Sequence, residues 1–506
     1  MHRFDIVIIG SGMGGLVCGD LLSREGYQVC IIEKNKQLGG CLQSFSRDKR
    51  IFESGVHYIG GLEKGQNLYR IFDYLGLMEK LHLERINEDA FDKIIIGDDP
   101  KVYSLAQGWD QFYDSLLRDF PGEEPGLKKY RDTLRGICLR FPLYNLRSGG
   151  SFAEKTEAME VDTERFIKSC TENEKLRAVL GGNNILYAGR GNETPLYVHA
   201  LIQNHYIESS WKCLNGGSQI GKFLAANIRE RGGVILRNTE VKKIVGDGKE
   251  ATHVTLADGN VIYAAVFISN LHPMKTLEML EGLRIKPAYQ HRLESLKNTV
   301  SSFTLNIVLK KNTVPYQSSN TYFHKEGKLW SLDEYTQDNW PLGYGVFFTP
   351  QRDNHQWAES VSIITYMHFE EVEQWGDTFN TTLYPSERTA EYQEFKKLKE
   401  EKLLDCVAER FPGIRENIEA IYSATPLSYR DYIGNDDGSL YGIAKDYREP
   451  LKTLIPPRTH VSNLFLTGQN LNLHGILGAT ISALSTTTAV MGNDSVVEKI
   501  RNAENA

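Results

Sequence analysis

Gly10, Gly12 and Gly15 in "GSGMGG" (10–15) give the spacing GxGxxG, and Glu33 follows Gly15 by eighteen residues. These residue types at this spacing suit a dinucleotide. The first glycine permits a tight turn, and the second lets a pyrophosphate approach the backbone. The third allows a helix to pack closely on a strand, and that helix presents its N-terminal amides to the phosphates. A carboxylate at Glu33 can accept both hydroxyls of an adenosine ribose and would repel a 2′-phosphate.

Such a glycine pattern carries weight only between a strand and a helix. Asp5–Ile9 reads as a short apolar strand and Leu16–Glu25 as a helix, with Leu16, Leu21 and Leu22 available for one face. Gln28–Glu33 reads as a second apolar strand. Strand, helix and strand within about 30 residues predict a βαβ unit with parallel strands.

Further elements divide the chain. Residues 77–205 are richer in charge and helical periodicity. From Trp211 the βα style returns: "GGSQIGKFLAANIRERGG" predicts a helix, followed by strands at Val234–Leu236, Val241–Ile244, His253–Leu256 and Val266–Ser269. Phe303–Leu309 alternates as a half-buried antiparallel strand does. Ser386–Phe411 predicts a long charged helix with Tyr392, Phe395, Leu398 and Val407 inward. The expected fold class is α/β. A Rossmann-like nucleotide domain is assembled from residues 1–76, 211–285 and 436–506, and an α+β substrate domain is inserted as 77–210 and 286–435.

Bulk properties exclude some classes. The formal charge of -7 in 506 residues carries no basic face, which argues against a nucleic-acid partner. Seven scattered cysteines form no CxxC pair or His/Cys cluster, so a reducing, cytoplasmic setting and no metal site are expected. The N-terminus has only a very short apolar run and no cleavage site, and reads as a strand. Residues 459–493 contain no Asp, Glu, Lys or Arg in a chain that is 24% charged. Gln469, Asn470, Asn472, His474 and a Ser/Thr series interrupt this run, so a buried element is expected and not a membrane span.

After Glu33, "KNKQLGGCLQSF" places Gly39–Gly40 close behind the acid, and "FESGVHYIGG" (52–61) follows. Here the chain resembles the FAD-dependent superfamily of amine oxidases and phytoene desaturases. "ESGVHYIGG", "LNGGSQIGKFL", "FISNLHP", "DDGSLYGI" and "NLFLTGQNLNLHGILGA" resemble the landmarks of its branch of carotenoid desaturases, carotenoid isomerases and retinol saturases. The resemblance implies a glutathione-reductase-type βαβ fold and FAD held without a covalent bond. It implies that Gly10, Ser11, Gly12, Gly14 and Gly15 meet the pyrophosphate, with Glu33 at the ribose and Lys34 beside the ribose or adenine. Gly40, Cys41 and Leu42 would pass the ribityl chain, Val241 would hold adenine, and Asn270 would cover the other side.

The same resemblance implies that Gly468, Gln469, Asn470, His474, Gly475 and Ile476 close on the flavin. Many relatives carry an acid directly after the glycine, where this chain has Gln469 and Asn470. His57 and Tyr58 would lie near the isoalloxazine, as catalytic candidates or as structural groups; imidazole suits proton transfer near neutrality. The implied substrate is an apolar isoprenoid or polyene gathered from a bilayer, hence peripheral membrane contact. No second strand–GxGxxG–helix unit follows, because "SSWKCLN" is a poor strand. Electrons would therefore pass to or from a transiently bound NAD(P)H, a quinone, oxygen or a protein. Two other readings stand beside this one. One is a flavin amine oxidase; the other is a binding protein of the GDP-dissociation-inhibitor type, which shares the fold without using FAD.

Overall fold

The computed structural model describes residues 3–148 and 153–503. Met1 and His2, read with the first strand, lie outside them. The strand spans Arg3–Ile9, the helix Met13–Arg24 and the second strand Val29–Ile32. Ile6–Ile9 and Val29–Ile32 are buried residue by residue. Such continuous apolar runs belong to parallel strands covered on both faces. The helix is buried along Met13–Ser23, not on one face only, because the helices Gly475–Met491 and Ser218–Glu230 both pack against it.

These strands enter an eight-stranded sheet. Val234–Leu236, Val29–Ile32, Arg3–Ile9 and Val261–Ser269 lie side by side in parallel. Val261–Ser269 is long enough to serve two neighbours on its other edge. Its first residues pair antiparallel with Glu250–Leu256, and Phe267–Ser269 pair in parallel with Leu464–Leu466. Five parallel strands therefore end at one rim, at Leu236, Ile32, Ile9, Ser269 and Leu466. Ligands of open α/β sheets bind outside such carboxyl ends.

A second, seven-stranded sheet runs in the order Ile418–Ala424, Ser301–Leu309, Ala358–Met367, Gly343–Pro350, Asn320–His324, Asp92–Ile96 and Tyr103–Leu105. Ser301–Leu309 is buried on both faces, contrary to the half-buried expectation. Phe303, Leu305, Ile307 and Leu309 enter one apolar core. The opposite face is covered in turn, with Thr304 Oγ1 hydrogen-bonded to Tyr429 at 2.7 Å. The helix predicted over Ser386–Phe411 spans Ala390–Ala408, and its inward face is corrected. Leu398 is 63% exposed, whereas Lys399 is buried, bonded to Glu371 at 2.5 Å with its ammonium over Trp340. Simple periodicity missed this because a buried ion pair replaces an apolar contact.

Helices 109–119, 124–139, 163–170, 174–180 and Leu196–Glu208 build the lobe expected from residues 77–205. The sequence reading missed its strands, among them Asp92–Ile96, which pairs in parallel with Asn320–His324. Ser210–Cys213, within the segment read as a poor strand, does form one, in a small antiparallel sheet with Ile59–Gly60 and Leu83–Arg85. The uncharged C-terminal stretch becomes the strand Leu464–Leu466 and the helix Gly475–Met491, buried along Leu477–Thr480. Among the described residues no helix is long and apolar enough to cross a membrane.

Candidate active site

The rim of the first sheet opens into a cavity of about 610 Å³ that reaches the second sheet and the helical lobe. This volume is in the range of small-molecule and cofactor sites. The glycine turn forms one end. A Cβ at Gly12 would lie 2.6 Å from Asn270 Nδ2, and one at Gly14 2.7 Å from Gly468 Cα. Three rim segments thus meet at closest approach, with room only for backbone. Gly15 does not line the cavity. A Cβ there would lie 2.2 Å from Gly10 O, so this glycine sets the packing of helix on strand.

Glu33 is 7% exposed and faces the turn. One carboxylate oxygen accepts from Ser11 N at 2.9 Å and Ser11 Oγ at 2.7 Å, and the other from Asn35 N at 2.8 Å. Gly39 N reaches back to the Ser11 carbonyl at 3.0 Å, which brings the second glycine pair beside the first. Gly40, Cys41 and Leu42 then line the cavity in a short helical turn. Thr239 N donates to the Glu33 carbonyl at 2.9 Å, which sets Val241 on the same wall. Lys34 Nζ donates to the Asp431 carbonyl at 3.5 Å and joins this end to residues 430–434.

The opposite end is apolar and aromatic. His57 stacks on Phe347 with centroids 4.4 Å apart, and Tyr58 packs on Tyr206 at 4.4 Å. Ile185, Leu186, Ile202, Ile364, Leu473 and Leu477 continue this wall. The His57 Nε2 atom is buried without a partner. Burial, helped by the charge of Lys212, holds the imidazole down at about 3, so it is neutral near pH 7. His474 Nε2 donates to the Leu186 carbonyl at 2.9 Å, its ring lies 4.3 Å from Tyr441, and burial lowers it to about 4. Gly475 and Ile476 begin the C-terminal helix at the cavity wall, and a helix start of this kind favours negative charge.

Gln469 and Asn470 also line the cavity, and Asn470 Oδ1 accepts from Ile443 N at 3.1 Å. The charged residues that line the cavity group around Glu33 and Lys34. Glu240 and Lys242 flank Val241, and Arg430 precedes the Asp431 carbonyl that receives Lys34. Lys275 and Glu278 stand on the helix after Asn270, and Lys275 meets Asp436 at 2.8 Å.

Sequence reasoning missed a buried polar cluster behind Tyr58. The Tyr58 hydroxyl donates to Asp92 Oδ2 at 2.9 Å and contacts the Tyr322 hydroxyl at 2.9 Å. Asn183 and Asn320 donate to the same carboxylate, each at 3.0 Å. Burial raises Asp92 from 3.8 to about 6 against these three hydrogen bonds. Its signal was an acid at the start of the apolar run "FDKIII". Phe347, Tyr206, Ile185 and Leu186 gave no such signal, because they come from elements far apart in sequence.

A parallel sheet with a glycine turn at its rim, a buried acid at the end of the neighbouring strand and a second glycine pair has the fold of the Rossmann-type dinucleotide-binding class. A family model described as an NAD(P)-binding Rossmann-like domain matches residues 8–75. The chain is 27% identical to the all-trans-retinol 13,14-reductase of Danio rerio, over 99% of this chain and 89% of that one. It is 23% identical to the chloroplastic prolycopene isomerase of Daucus carota, over 87% of this chain and 72% of the other. A solved putrescine oxidase superposes with a TM-score of 0.62 at 13% identity, covering 97% of this chain and 99% of that one, a likeness of fold alone. The relatives matched over most of this chain thus include a retinol reductase and a prolycopene isomerase.

Proposed function

We propose that the protein is an FAD-dependent oxidoreductase acting on carbon–carbon double bonds of an apolar substrate of the isoprenoid or polyene type. One observation carries this reading. A single cavity joins the dinucleotide cradle to an aromatic and aliphatic wall, and its charged lining groups around the cradle. An extended apolar molecule can be positioned by such a wall without a charged anchor.

The residues present fit FAD. Gly12 and Gly14, whose added Cβ atoms would collide, leave backbone-only surfaces for a pyrophosphate, and Glu33 would face the ribose. The amides at the start of the helix Gly475–Met491 would favour the negative charge that gathers on a reduced flavin held at this wall. When bound, FAD supplies hydride transfer at N5. The chain holds this group without a covalent link, orients it through residues 468–476 and excludes water with Phe347, Tyr206 and Leu473. His57, a neutral imidazole, and Tyr58, held by Asp92, are the side chains we place beside the reacting atoms. Residues 1–76, 211–285 and 436–506 form the FAD-binding unit, and 77–210 with 286–435 the substrate unit. The electron partner is a transient NAD(P)H, a quinone, oxygen or a protein, and an apolar substrate implies peripheral membrane contact from the cytoplasm.

The relatives' printed names, a retinol reductase and a carotenoid isomerase, support the substrate class. Steady-state assays of FAD-loaded protein with polyenes and with primary amines test this reading. Conversion of a polyene and inertness toward amines is expected. Amine oxidation without polyene conversion, or a protein that stays colourless in FAD, would overturn it.

A further inference from the structure

Residues 442–445 run behind the loop that follows the last parallel strand. Lys445 Nζ donates to the carbonyls of Asn470 at 2.9 Å, Leu471 at 3.0 Å and Thr453 at 2.8 Å. An ammonium has three donors and no acceptor, so this set is filled completely. All three acceptors are main-chain oxygens, and two belong to successive residues of the loop. Among the described residues no carboxylate pairs with Lys445; the side chain is held for its donors. Ile443 N adds the bond to Asn470 Oδ1, and a Cβ at Gly442 would lie 2.0 Å from that oxygen.

The loop's other side faces the cavity through Gln469 and Asn470, and it leads into His474 and the helix start at Gly475. The lysine's charge reaches this point, since it adds to the depression of the His474 imidazole. Burial and the nearby Arg292 push the ammonium down to about 7, while three carbonyl dipoles favour its charged form. A position that buries a cation against loop carbonyls, with no acid to balance it, gains from a negative group on the loop's far side.

We propose that Lys445 is a positioning residue whose ammonium clamps the Asn470–Leu471 main chain and so fixes the loop and helix start against the flavin. This rests on the flavoprotein reading above. The test uses the full chain loaded with FAD, in the wild type and in Lys445→Met, Lys445→Gln and Lys445→Arg. Lys297→Met, at an exposed position of the outer cleft that Lys445 also lines, serves as control.

Flavin dissociation rate, visible spectrum and midpoint potential are measured. Lys445→Met is expected to release flavin at least about tenfold faster, as the loss of one strong interaction implies, with a shifted spectrum and a more negative potential. Lys445→Gln should fall between Met and wild type, Lys445→Arg should recover most of the retention, and Lys297→Met should match the wild type. If Lys445→Met does not fold, the order of Gln and Arg decides. Variants that lose only thermal stability while spectrum, potential and release rate stay at wild-type values would overturn the clamp. A wild type that takes up no flavin would instead overturn the flavin reading, and the clamp with it.

Discussion

Glu33→Gln removes one charge and almost no volume, which makes it a direct probe of the ribose position. The carboxylate accepts three hydrogen bonds, two from Ser11 on one oxygen and one from Asn35 N on the other. A glutamine offers one acceptor oxygen. With that oxygen turned to Ser11, the amide NH2 meets the Asn35 N–H, donor against donor. Leaving one buried donor unpaired costs about 1–3 kcal/mol. A bound ribose would lose a charged acceptor as well, worth about 1.5–3 kcal/mol, or roughly 10- to 100-fold in affinity. Titration of FAD into apoprotein, with urea unfolding of the apo form, separates the two effects. The expected result is a Kd raised roughly 10- to 100-fold and an apo form weakened by about 1–3 kcal/mol. Glu33→Arg should abolish retention. Glu33→Gln with unchanged Kd, or Glu33→Arg with full flavin, would refute the placement of the ribose.

Further expectations concern the apolar end and the core. Burial raises the Asp92 carboxyl to about 6, so the folded chain binds its proton more tightly than the unfolded chain does. This stability is present below the unfolded value of 3.8 and is lost as pH rises through about 6. Urea unfolding of wild type and Asp92→Asn should therefore show a relative gain for Asn of about 2 kcal/mol between about pH 4 and 7.5; equal slopes would contradict it. His57→Phe keeps the stack on Phe347 and is expected to retain flavin while altering its visible spectrum; an identical spectrum would place the imidazole away from the ring. Because burial holds His57, His474 and His205, which lines the same cavity, at about 3, 4 and 3, turnover should show no inflection from these histidines between about pH 5.5 and 7.5. An inflection near neutrality that disappears in His57→Phe would contradict this assignment. Leu398→Glu should change unfolding stability by less than about 0.5 kcal/mol, whereas Leu403→Ala, on the same helix but fully buried in the core under the second sheet, should cost about 2–5 kcal/mol; equal losses would reverse these helix faces.

The cradle was legible in sequence because its parts are local or follow a fixed pattern. Gly10–Gly15, Glu33 and Gly39–Gly40 lie within one βαβ unit, where steric need for bare backbone selects glycine. Val241, Asn270 and Gly468 came from resemblance, and all three line the cavity. The apolar wall was not legible. Phe347, Tyr206 and Ile185 come from a strand, a helix and a turn, and each alone looks like an ordinary core residue. Lys399 and Lys445 were hidden for a related reason: a lysine's stem can be buried while its ammonium finds partners that only the fold supplies. The uncharged run 459–493 was legible as buried. Its division into a strand that delivers Gly468 and a following helix was legible too, and the structure has the strand Leu464–Leu466 and the helix Gly475–Met491, whereas the strand's pairing with Val261–Ser269 is not displayed in sequence.

The central claim is that one cavity brings a flavin and an apolar double bond together. Anaerobic photoreduction of the FAD-loaded protein, followed by rapid mixing with a retinoid polyene, tests it in a single turnover. Reoxidation of the flavin, with the polyene losing one conjugated double bond in equal amount, is the predicted result. A flavin that stays reduced until oxygen is admitted, with the polyene unchanged, would contradict it.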